Sequence, residues 1–298
     1  MGIVSSWATG CLCIVLVASG LLLLCRRCLR GSTLMAPWAW CWVGLWSLAL
    51  MEIGRGDGLE GATAWYFSIG VSTILPGMAL LGAQRPHDRI WQFVVLSLWV
   101  ILALPAVKNM LLEPGSIFQL HPAWGWFVWL LILLGWLNRI GTRYWLAALL
   151  VAVGQCLVLA GHLPGLNHEL GAIGTVSGLG CFTAAILMVQ LQLRGATQST
   201  VGFDRAWIDF RDQFGTLWAL RVADRINMLA ERQESNVRLT WQGLRDGSGD
   251  NQVPRLDVET EAILHQNLKN LLRRFVPVDW ITARLPVTAD SVVDERVS

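Results

Sequence analysis

Charged side chains are scarce in the first two thirds of this 298-residue chain. Residues 1–194 include 10 basic and 6 acidic side chains, whereas residues 195–298 include 13 basic and 15 acidic ones. A soluble domain usually has about 25% charged residues, which excludes the first region from being an ordinary soluble domain. We therefore expect a lipid-embedded region of net charge +4 followed by an aqueous region of net charge −2.

The signatures of several enzyme classes are also absent. The chain has no G-x-x-x-x-G-K-[ST] phosphate loop, no H-E-x-x-H zinc motif, no G-x-S-x-G nucleophile motif and no kinase H-R-D. The tail is nearly neutral and has no basic stripe, which argues against nucleic-acid binding, because phosphate contacts need clustered lysines and arginines. All seven cysteines lie in or beside apolar runs, and their odd number does not indicate a disulfide framework. The sequence therefore favours neither an enzyme nor a nucleic-acid-binding protein.

The first region does contain seven apolar runs of membrane-spanning length. A helix that crosses the hydrocarbon core, ~30 Å thick, needs about 20 mostly apolar residues. The fifth run is short, but four tryptophans typical of interface anchors bracket it, namely Trp124, Trp126, Trp129 and Trp136. The predicted fold of residues 1–194 is an all-α bundle of seven transmembrane helices. The predicted spans are residues 3–24, 34–53, 62–82, 90–107, 122–137, 144–162 and 170–193.

Arginines are concentrated in alternate gaps between these spans. One set of gaps contains only Arg55 and Lys108, and the other contains eight arginines: Arg26, Arg27, Arg30, Arg85, Arg89, Arg139, Arg143 and Arg194. By the positive-inside rule the arginine-rich gaps face the cytoplasm, so the N-terminus lies outside and the tail inside. No basic residue precedes the first run, as it would in a cleaved signal peptide, and no organelle-targeting pattern is present. We therefore expect a multi-pass protein of a bacterial inner membrane.

A few residues within the spans predict how the helices pack. Gly174 and Gly178 have the small-xxx-small spacing that allows two helices to approach closely, which favours a central position for the last span. Pro76 and Pro105 predict kinks in the third and fourth spans. Gln155 is a long polar side chain near a span centre, and we expect it to hydrogen-bond a neighbouring helix rather than a substrate.

The tail is predicted to consist of a linker at 195–202, a small cytoplasmic α+β domain at 203–285 and a flexible end at 286–298. Apolar residues at helical spacing run from Phe203 to Leu229, with Asp204 as the predicted N-cap. This apolar face either lies on the inner leaflet or forms the core of the domain. Acidic residues are mixed through the polar face, so the core is favoured.

Further elements are predicted in the second half of the tail. The alternation in Val237–Trp241 predicts a strand, and a polar loop follows at 242–255. A helix is predicted from Val258 to Phe275, with a short strand at 278–285. About 80 ordered residues lie near the lower limit for independent stability, so we expect the domain to depend on the membrane or on a partner.

Two short motifs each have a structural and a chemical interpretation. Cys25 and Cys28 could form a redox pair, since the two arginines between them would lower a thiol pKa, but no further ligand for zinc is present and two interfacial cysteines are favoured. The loop from Asp246 to Asp257 places oxygen-bearing side chains at positions 1, 3, 5 and 12 of a calcium loop. It lacks the glycine at position 6, so a solvated turn is favoured.

Three histidines, His121, His162 and His168, all fall on the predicted outer side. Imidazoles near an aromatic rim can ligate haem or copper. The segment of His121, Trp124-Gly125-Trp126 and Trp129 resembles the tryptophan-rich periplasmic segment of the cytochrome c haem-handling membrane proteins over about ten residues. The tryptophan spacing differs by one, and Leu130 replaces the acidic residue of that pattern. The resemblance implies haem presentation to a periplasmic partner.

The segment Phe203–Gly215, with the Trp218-Ala-Leu-Arg221 that follows, resembles uncharacterised bacterial multi-pass membrane proteins. This resemblance implies a class of protein and no activity. We therefore expect a non-catalytic inner-membrane scaffold or sensor whose domain at 203–285 binds a cytoplasmic protein partner. The alternative is a small-molecule carrier or a haem- or metal-handling protein that uses the outer histidines.

Overall fold

The computed structural model describes residues 6–55, 62–85, 88–113, 116–166, 170–195, 202–233, 235–246 and 258–285. It is mostly helical, at 79%, with one small two-stranded sheet in the described part of the chain. The chain divides into two compact units, Met1–Gly195 (unit 1) and Ala196–Ser298 (unit 2). Apolar side chains are buried within each of them.

Unit 1 is built from helices that coincide with the predicted apolar runs. The described elements are α1 (Ser6–Leu29), α2 (Met35–Arg55), α3 (Ala62–Gly70), a 3-10 turn (Val71–Ile74), α4 (Leu75–Leu81), α5 (Asp88–Leu112), α6 (Pro122–Leu137), α7 (Trp145–Leu159), a second 3-10 turn (Ala160–His162) and α8 (Gly171–Gly195). Five stretches are long and apolar enough to cross a membrane: Ser6–Leu29, Thr63–Leu81, Arg89–Leu112, Trp145–His162 and Gly171–Leu193. Five of the seven predicted spans therefore correspond to helices that could cross a membrane.

The other two predicted spans correspond to α2 and α6. With 21 residues α2 is long enough to cross, but it is not among the five, and its tryptophans and its terminal Glu52 and Arg55 lower its mean hydropathy. By contrast α6 is strongly apolar but has only 16 residues. A 16-residue helix is about 24 Å long at 1.5 Å per residue, which is shorter than the hydrocarbon core.

The third predicted span is not one continuous α-helix. It consists of α3, the 3-10 turn Val71–Ile74 and α4, and Pro76 lies in the first turn of α4. In an uninterrupted α-helix the Ser72 carbonyl would accept from residue 76, and Pro76 has no N–H to donate. The Leu75 N–H donates to that carbonyl instead, which is the bond pattern of a 3-10 turn. The predicted kink at Pro76 is thus a change of helix type, whereas α5 continues through Pro105.

Helix α8 packs against α7 and α1, and its glycines allow the close approach to α7. A Cβ atom added to Gly178 would lie 2.6 Å from Cγ2 of Val158 and 2.9 Å from the carbonyl oxygen of Gly154. One added to Gly174 would lie 2.6 Å from the carbonyl oxygen of Leu157. Neither position has room for a side chain, which confirms that the small-xxx-small pair mediates helix packing.

Unit 2 contains four helices and a hairpin in its described residues. They are α9 (Phe203–Phe214), α10 (Thr216–Arg232), β1 (Val237–Thr240), β2 (Gly243–Asp246), α11 (Val258–Leu272) and α12 (Val278–Thr282). The apolar period from Phe203 to Leu229 predicted one helix, and the structure divides it at Gly215. That residue has φ 85°, a conformation that favours glycine, and its N–H donates to the Arg211 carbonyl at 2.9 Å to close α9.

The β1–β2 hairpin only partly follows the prediction. Strand β1 lies where alternation predicted it, with Val237 and Leu239 buried. Strand β2 occupies part of the predicted polar loop and pairs antiparallel with β1, so that Leu239 lies opposite Leu244 and Thr240 opposite Gly243. Strand β2 has only four residues and follows β1 after a two-residue turn. A strand this short is not marked by an alternation of apolar residues in the sequence.

The prediction of a strand at 278–285 is wrong, because the structure has helix α12 there. Pro277 is its N-cap residue, and the Ala283 N–H donates to the Asp279 carbonyl at 3.1 Å. The neighbouring residues Trp280 and Ile281 are both buried. Adjacent residues of a strand point to opposite faces, whereas in a helical turn two adjacent side chains can both face the core.

The core of unit 2 is an aromatic cluster. Phe210 and Phe214 stack at 4.9 Å between ring centroids, and Phe275 contacts both edge-on at 5.1 and 5.3 Å. Trp218 of α10 lies 5.0 Å from the same Phe275 ring. Trp207 is fully buried, and its indole N–H donates to the Thr240 carbonyl at the hairpin turn. The apolar faces of α9 and α10 are therefore buried inside unit 2.

Candidate functional site

Two of the three predicted ligand histidines take part in local packing. His121 is the N-cap of α6, and its Nδ1 accepts the Ala123 N–H at 3.2 Å. His162 ends the 3-10 turn after α7, and its ring lies edge-on to Phe67 and Phe118, at 5.2 and 5.7 Å between centroids. This aromatic triad joins the segment before α6 to α3.

The structure does not assemble a ligand set around these histidines. His168 lies outside the described residues. Within the described ranges, no three side chains of histidine, cysteine, aspartate or glutamate are placed to hold a metal ion. A haem or metal role of His121, His162 and His168 stays a prediction. The calcium-loop segment also lies almost entirely outside the described residues, from 247 to 257.

The two cysteines at the end of α1 have different surroundings. Cys25 is buried and Cys28 is exposed. The Gln190 amide of α8 donates to the Cys25 sulfur and to the Leu21 carbonyl, both at 2.9 Å. Cys25 therefore helps to attach α1 to α8.

A group of polar side chains surrounds the 3-10 turn in the third predicted span. We call the side chains of Ser47, Ser72, Thr73 and Gln155 the polar seam. The Gln155 Nε2 donates to the Thr73 carbonyl at 2.8 Å, and the hydroxyls of Ser47 and Ser72 lie 3.0 Å apart. Thr73 also donates to the Gly70 carbonyl at 2.7 Å. The seam joins α2, the turn and α7, and it confirms the predicted bond from Gln155 to a neighbouring helix.

The polar seam has a clear physical cause. A carbonyl in a 3-10 turn bonds to the N–H three residues later, and for Thr73 that residue is Pro76. A backbone carbonyl without a donor is costly in an apolar interior, and the Gln155 amide supplies the donor. The Gln155 amide thus completes the backbone bonding of the broken helix.

Glu52, the acidic residue nearest to a predicted span interior, is only 1% exposed. It lies in the last turn of α2. Its neighbours Leu48, Ala49 and Met51 belong to the apolar cluster that α1, α2 and α8 share. This carboxylate is therefore an interior group of unit 1 near one end of α2.

Unit 2 has a buried carboxylate that sequence reasoning missed. Asp212 is 1% exposed, and its Oδ1 accepts from Nε and Nη2 of Arg211 at 3.0 and 2.9 Å. Nη1 of Arg211 donates to the Trp241 carbonyl at 2.6 Å, and its guanidinium lies 5.0 Å from the Trp241 ring centroid. The arginine therefore links α9 to the hairpin turn. The sequence carries no signal for this, because nothing in it places Trp241 beside α9.

Asp204 was predicted to cap α9 and instead binds the hairpin. Its Oδ1 accepts the Leu244 N–H at 2.8 Å, and its Oδ2 lies 3.3 Å from Arg245 Nη1. Gly202 is the N-cap residue, with φ 138°. Asp204 is the second residue of α9, so its carboxylate lies beyond the N-cap position and binds β2 instead.

A third carboxylate, Asp209, holds the end of the described domain. The Arg284 Nε donates to Asp209 at 2.7 Å, and the Arg284 guanidinium lies 4.1 Å from the Trp280 ring centroid. The Gly202 N–H donates to the Arg284 carbonyl at 3.1 Å. The two ends of the described part of unit 2 are thereby joined.

His265 is the one histidine of unit 2. It lies on α11, with its ring 5.6 Å from the Phe203 ring and its Nε2 3.8 Å from a Glu261 oxygen. Burial lowers the pKa of His265, and the nearby Glu261 carboxylate opposes that shift. This histidine is therefore a packing residue of the domain that favours its neutral form.

Comparison with known proteins gives no relative for this chain. No protein-family model, curated protein or solved structure matches it.

Proposed function

We propose that this protein is an integral membrane scaffold with seven spans, which holds unit 2 in the cytoplasm of a bacterial cell to bind a protein partner. Five spans rest on helices that are long and apolar enough to cross a membrane. The inner-membrane location and the orientation rest on the distribution of arginines between the apolar runs.

The exposed surfaces of α2 and α6 support two further spans. The residues of α6 that are more than a third exposed are all apolar, and five of them are large, namely Trp126, Phe127, Leu130, Leu133 and Leu137. Helix α2 likewise exposes Val43, Leu50 and Ile53. Apolar surfaces of this extent favour lipid over water. Tryptophans at both ends of α6 compensate for its short length by anchoring it at the interfaces.

One observation carries the scaffold function: the polar side chains singled out in both units hold the fold together. Gln155 bonds the backbone of a broken helix, Asp212 orients an arginine against the hairpin, and Asp204 binds β2. Side chains used in this way stabilise a shape. A stable shape carried by a membrane anchor is what a docking platform requires.

The topology is tested by four single cysteines in a chain whose native cysteines have been replaced. Ser32→Cys and Asp57→Cys flank α2, and Ser116→Cys and Ile140→Cys flank α6. In intact spheroplasts a membrane-impermeant maleimide should label positions 57 and 116, and it should label positions 32 and 140 only after lysis. Labelling of both flanks of either helix before lysis would contradict the seven-span arrangement.

The partner is tested by in-cell crosslinking of the full chain, of a chain lacking residues 196–298 and of the Trp207→Ala variant. Trp207 is fully buried, so this variant should disrupt unit 2 while leaving unit 1 intact. We expect the same crosslinked proteins to be lost in both altered chains. An identical set in all three would refute partner binding by unit 2.

A further inference from the structure

Unit 2 has a group of exposed basic side chains on two neighbouring segments. Arg221 and Arg225 lie on α10, and Arg273 and Arg274 follow α11 directly. The Trp218–Phe275 contact brings these two segments together, and Arg221 lies over the Trp218 ring at 4.9 Å. We call these four residues the arginine patch.

Two exposed apolar side chains lie beside the arginine patch in the sequence. Leu220 precedes Arg221 and is 57% exposed, and Val278 follows Arg274 by four residues and is 50% exposed. They are the only large apolar side chains of unit 2 that are strongly exposed in its described residues. Basic groups combined with apolar side chains favour a surface that is both anionic and apolar.

The other end of α11 has the opposite charge. Glu259 and Glu261 lie in its first turn, about 20 Å from its C-terminal end at 1.5 Å per residue. The patch itself includes four arginines, with Asp224 and Asp279 as its exposed acidic neighbours. This separation of charge along α11 gives the domain a preferred orientation toward a negatively charged surface.

We infer that the arginine patch docks unit 2 on anionic phospholipid headgroups, with Leu220 and Val278 inserted at the level of the headgroups. The cytoplasmic leaflet is negatively charged and attracts basic groups near its surface. The covalent connection at 196–201 keeps unit 2 tethered to the membrane-embedded chain, so that weak contacts suffice to hold it. This inference rests on the proposed function only for the placement of unit 2 at the cytoplasmic leaflet.

The packing of unit 2 leaves this surface available. The apolar faces of α9 and α10 are used in the aromatic core, so membrane insertion of those faces would require the domain to unfold. The arginine patch lies outside that core. The domain can therefore dock while it remains folded, and α10 presents its polar face to the lipid.

The test uses the full chain, free of native cysteines, in nanodiscs made either of phosphatidylcholine alone or of phosphatidylcholine with phosphatidylglycerol. A nitroxide is attached at Val278→Cys, and its exposure to oxygen in lipid is compared with its exposure to a water-soluble nickel complex. Gln266→Cys on the exposed side of α11 is the matched control. Both faces of a nanodisc have the same composition and no protein partner is present, so neither the orientation nor the partner affects the result.

We expect the label at position 278 to move from water into lipid only in the anionic nanodiscs, and to return to water at high salt. The control label should stay in water. The triple variant Arg225→Gln, Arg273→Gln, Arg274→Gln should weaken docking. Each arginine contributes about fivefold to the docking equilibrium, so the loss of all three should be roughly a hundredfold. Retained near-ultraviolet circular dichroism would show that this triple variant is folded.

Three results would overturn the inference. The label at position 278 could remain in water in both lipid compositions, or the triple variant could dock as well as the parent chain. Protection of position 278 in native membranes but not in the anionic nanodiscs would assign the surface to a protein instead. Failure of the partner experiment would leave the docking result unchanged, so the two proposals are separable.

Discussion

The contact between α7 and α8 should depend on single glycines. In Gly178→Ala the new methyl group would lie 2.6 Å from Val158 and 2.9 Å from the Gly154 carbonyl oxygen, so the two helices must separate. In Gly180→Ala, two residues further along the same helix, no atom lies within 4 Å of the new group. The two substitutions are chemically identical, and only the packing environment differs.

The magnitude follows from two effects. Replacing glycine by alanine in a helix stabilises it by about 0.5–1 kcal/mol, and both variants share this gain. Overpacking a tight interface costs about 1–3 kcal/mol, and only Gly178→Ala has this cost. We therefore expect Gly180→Ala to be at least as stable as the parent chain, with Gly178→Ala about 1–3 kcal/mol below Gly180→Ala. Gly174→Ala should behave like Gly178→Ala, because its methyl group meets the Leu157 carbonyl.

The assay is equilibrium unfolding in mixed micelles with increasing dodecyl sulfate, followed by circular dichroism. The difference in free energy between the two variants isolates the packing cost, because the change in helix propensity cancels. Equal stabilities of Gly178→Ala and Gly180→Ala would refute the close packing of α7 on α8.

Two further predictions concern polar groups. Gln155→Leu removes the donor to the Thr73 carbonyl and should lower the free energy of unfolding by about 1–2 kcal/mol in the same assay. The control is Thr183→Val, which removes a hydroxyl that bonds within α8 and should lower it much less. Equal losses in the two variants would count against the polar seam. The lowered pKa of His265 means that the folded domain keeps this imidazole neutral while the unfolded chain takes up a proton, so unit 2 should lose stability as the pH falls below about 6.5. Hydrogen exchange in α11, corrected for the intrinsic rate, should rise over that range and should not do so in His265→Gln; the same rise in both chains would show that another group is responsible.

The apolar runs of unit 1 could be read from the sequence because lipid imposes simple requirements. Every backbone group in a span must be bonded within the chain, so an apolar run of sufficient length forms a helix. All seven predicted spans overlap helices in the structure, and Gly174 and Gly178 lie at the helix contact that their spacing predicted. Hydropathy and length separate the five helices that could cross a membrane from α2 and α6.

Unit 2 could be predicted less well because its elements depend on contacts between distant residues. Asp204 has the right residue type and position for a cap, but the hairpin that folds back onto α9 supplies it with a better donor at Leu244. Gly215 lies within an apolar period that continues on both sides, so periodicity alone does not reveal the break. The aromatic pair of Trp218 and Phe275, 57 residues apart, decides how α10 and α11 pack.

The polar seam lies between these two cases, because its elements were visible in the sequence and only their combination was missing. Pro76 removes a donor from the middle of a span, which leaves a carbonyl of the preceding turn in need of another donor. In lipid that donor must come from a neighbouring helix, and Gln155 is the long amide near a span centre. Joining these two statements predicts that the third and sixth apolar runs are neighbours, as the bond from Gln155 to Thr73 shows. Unsatisfied backbone groups at a proline can therefore indicate helix pairing in a membrane protein, where hydropathy alone indicates only the number of helices.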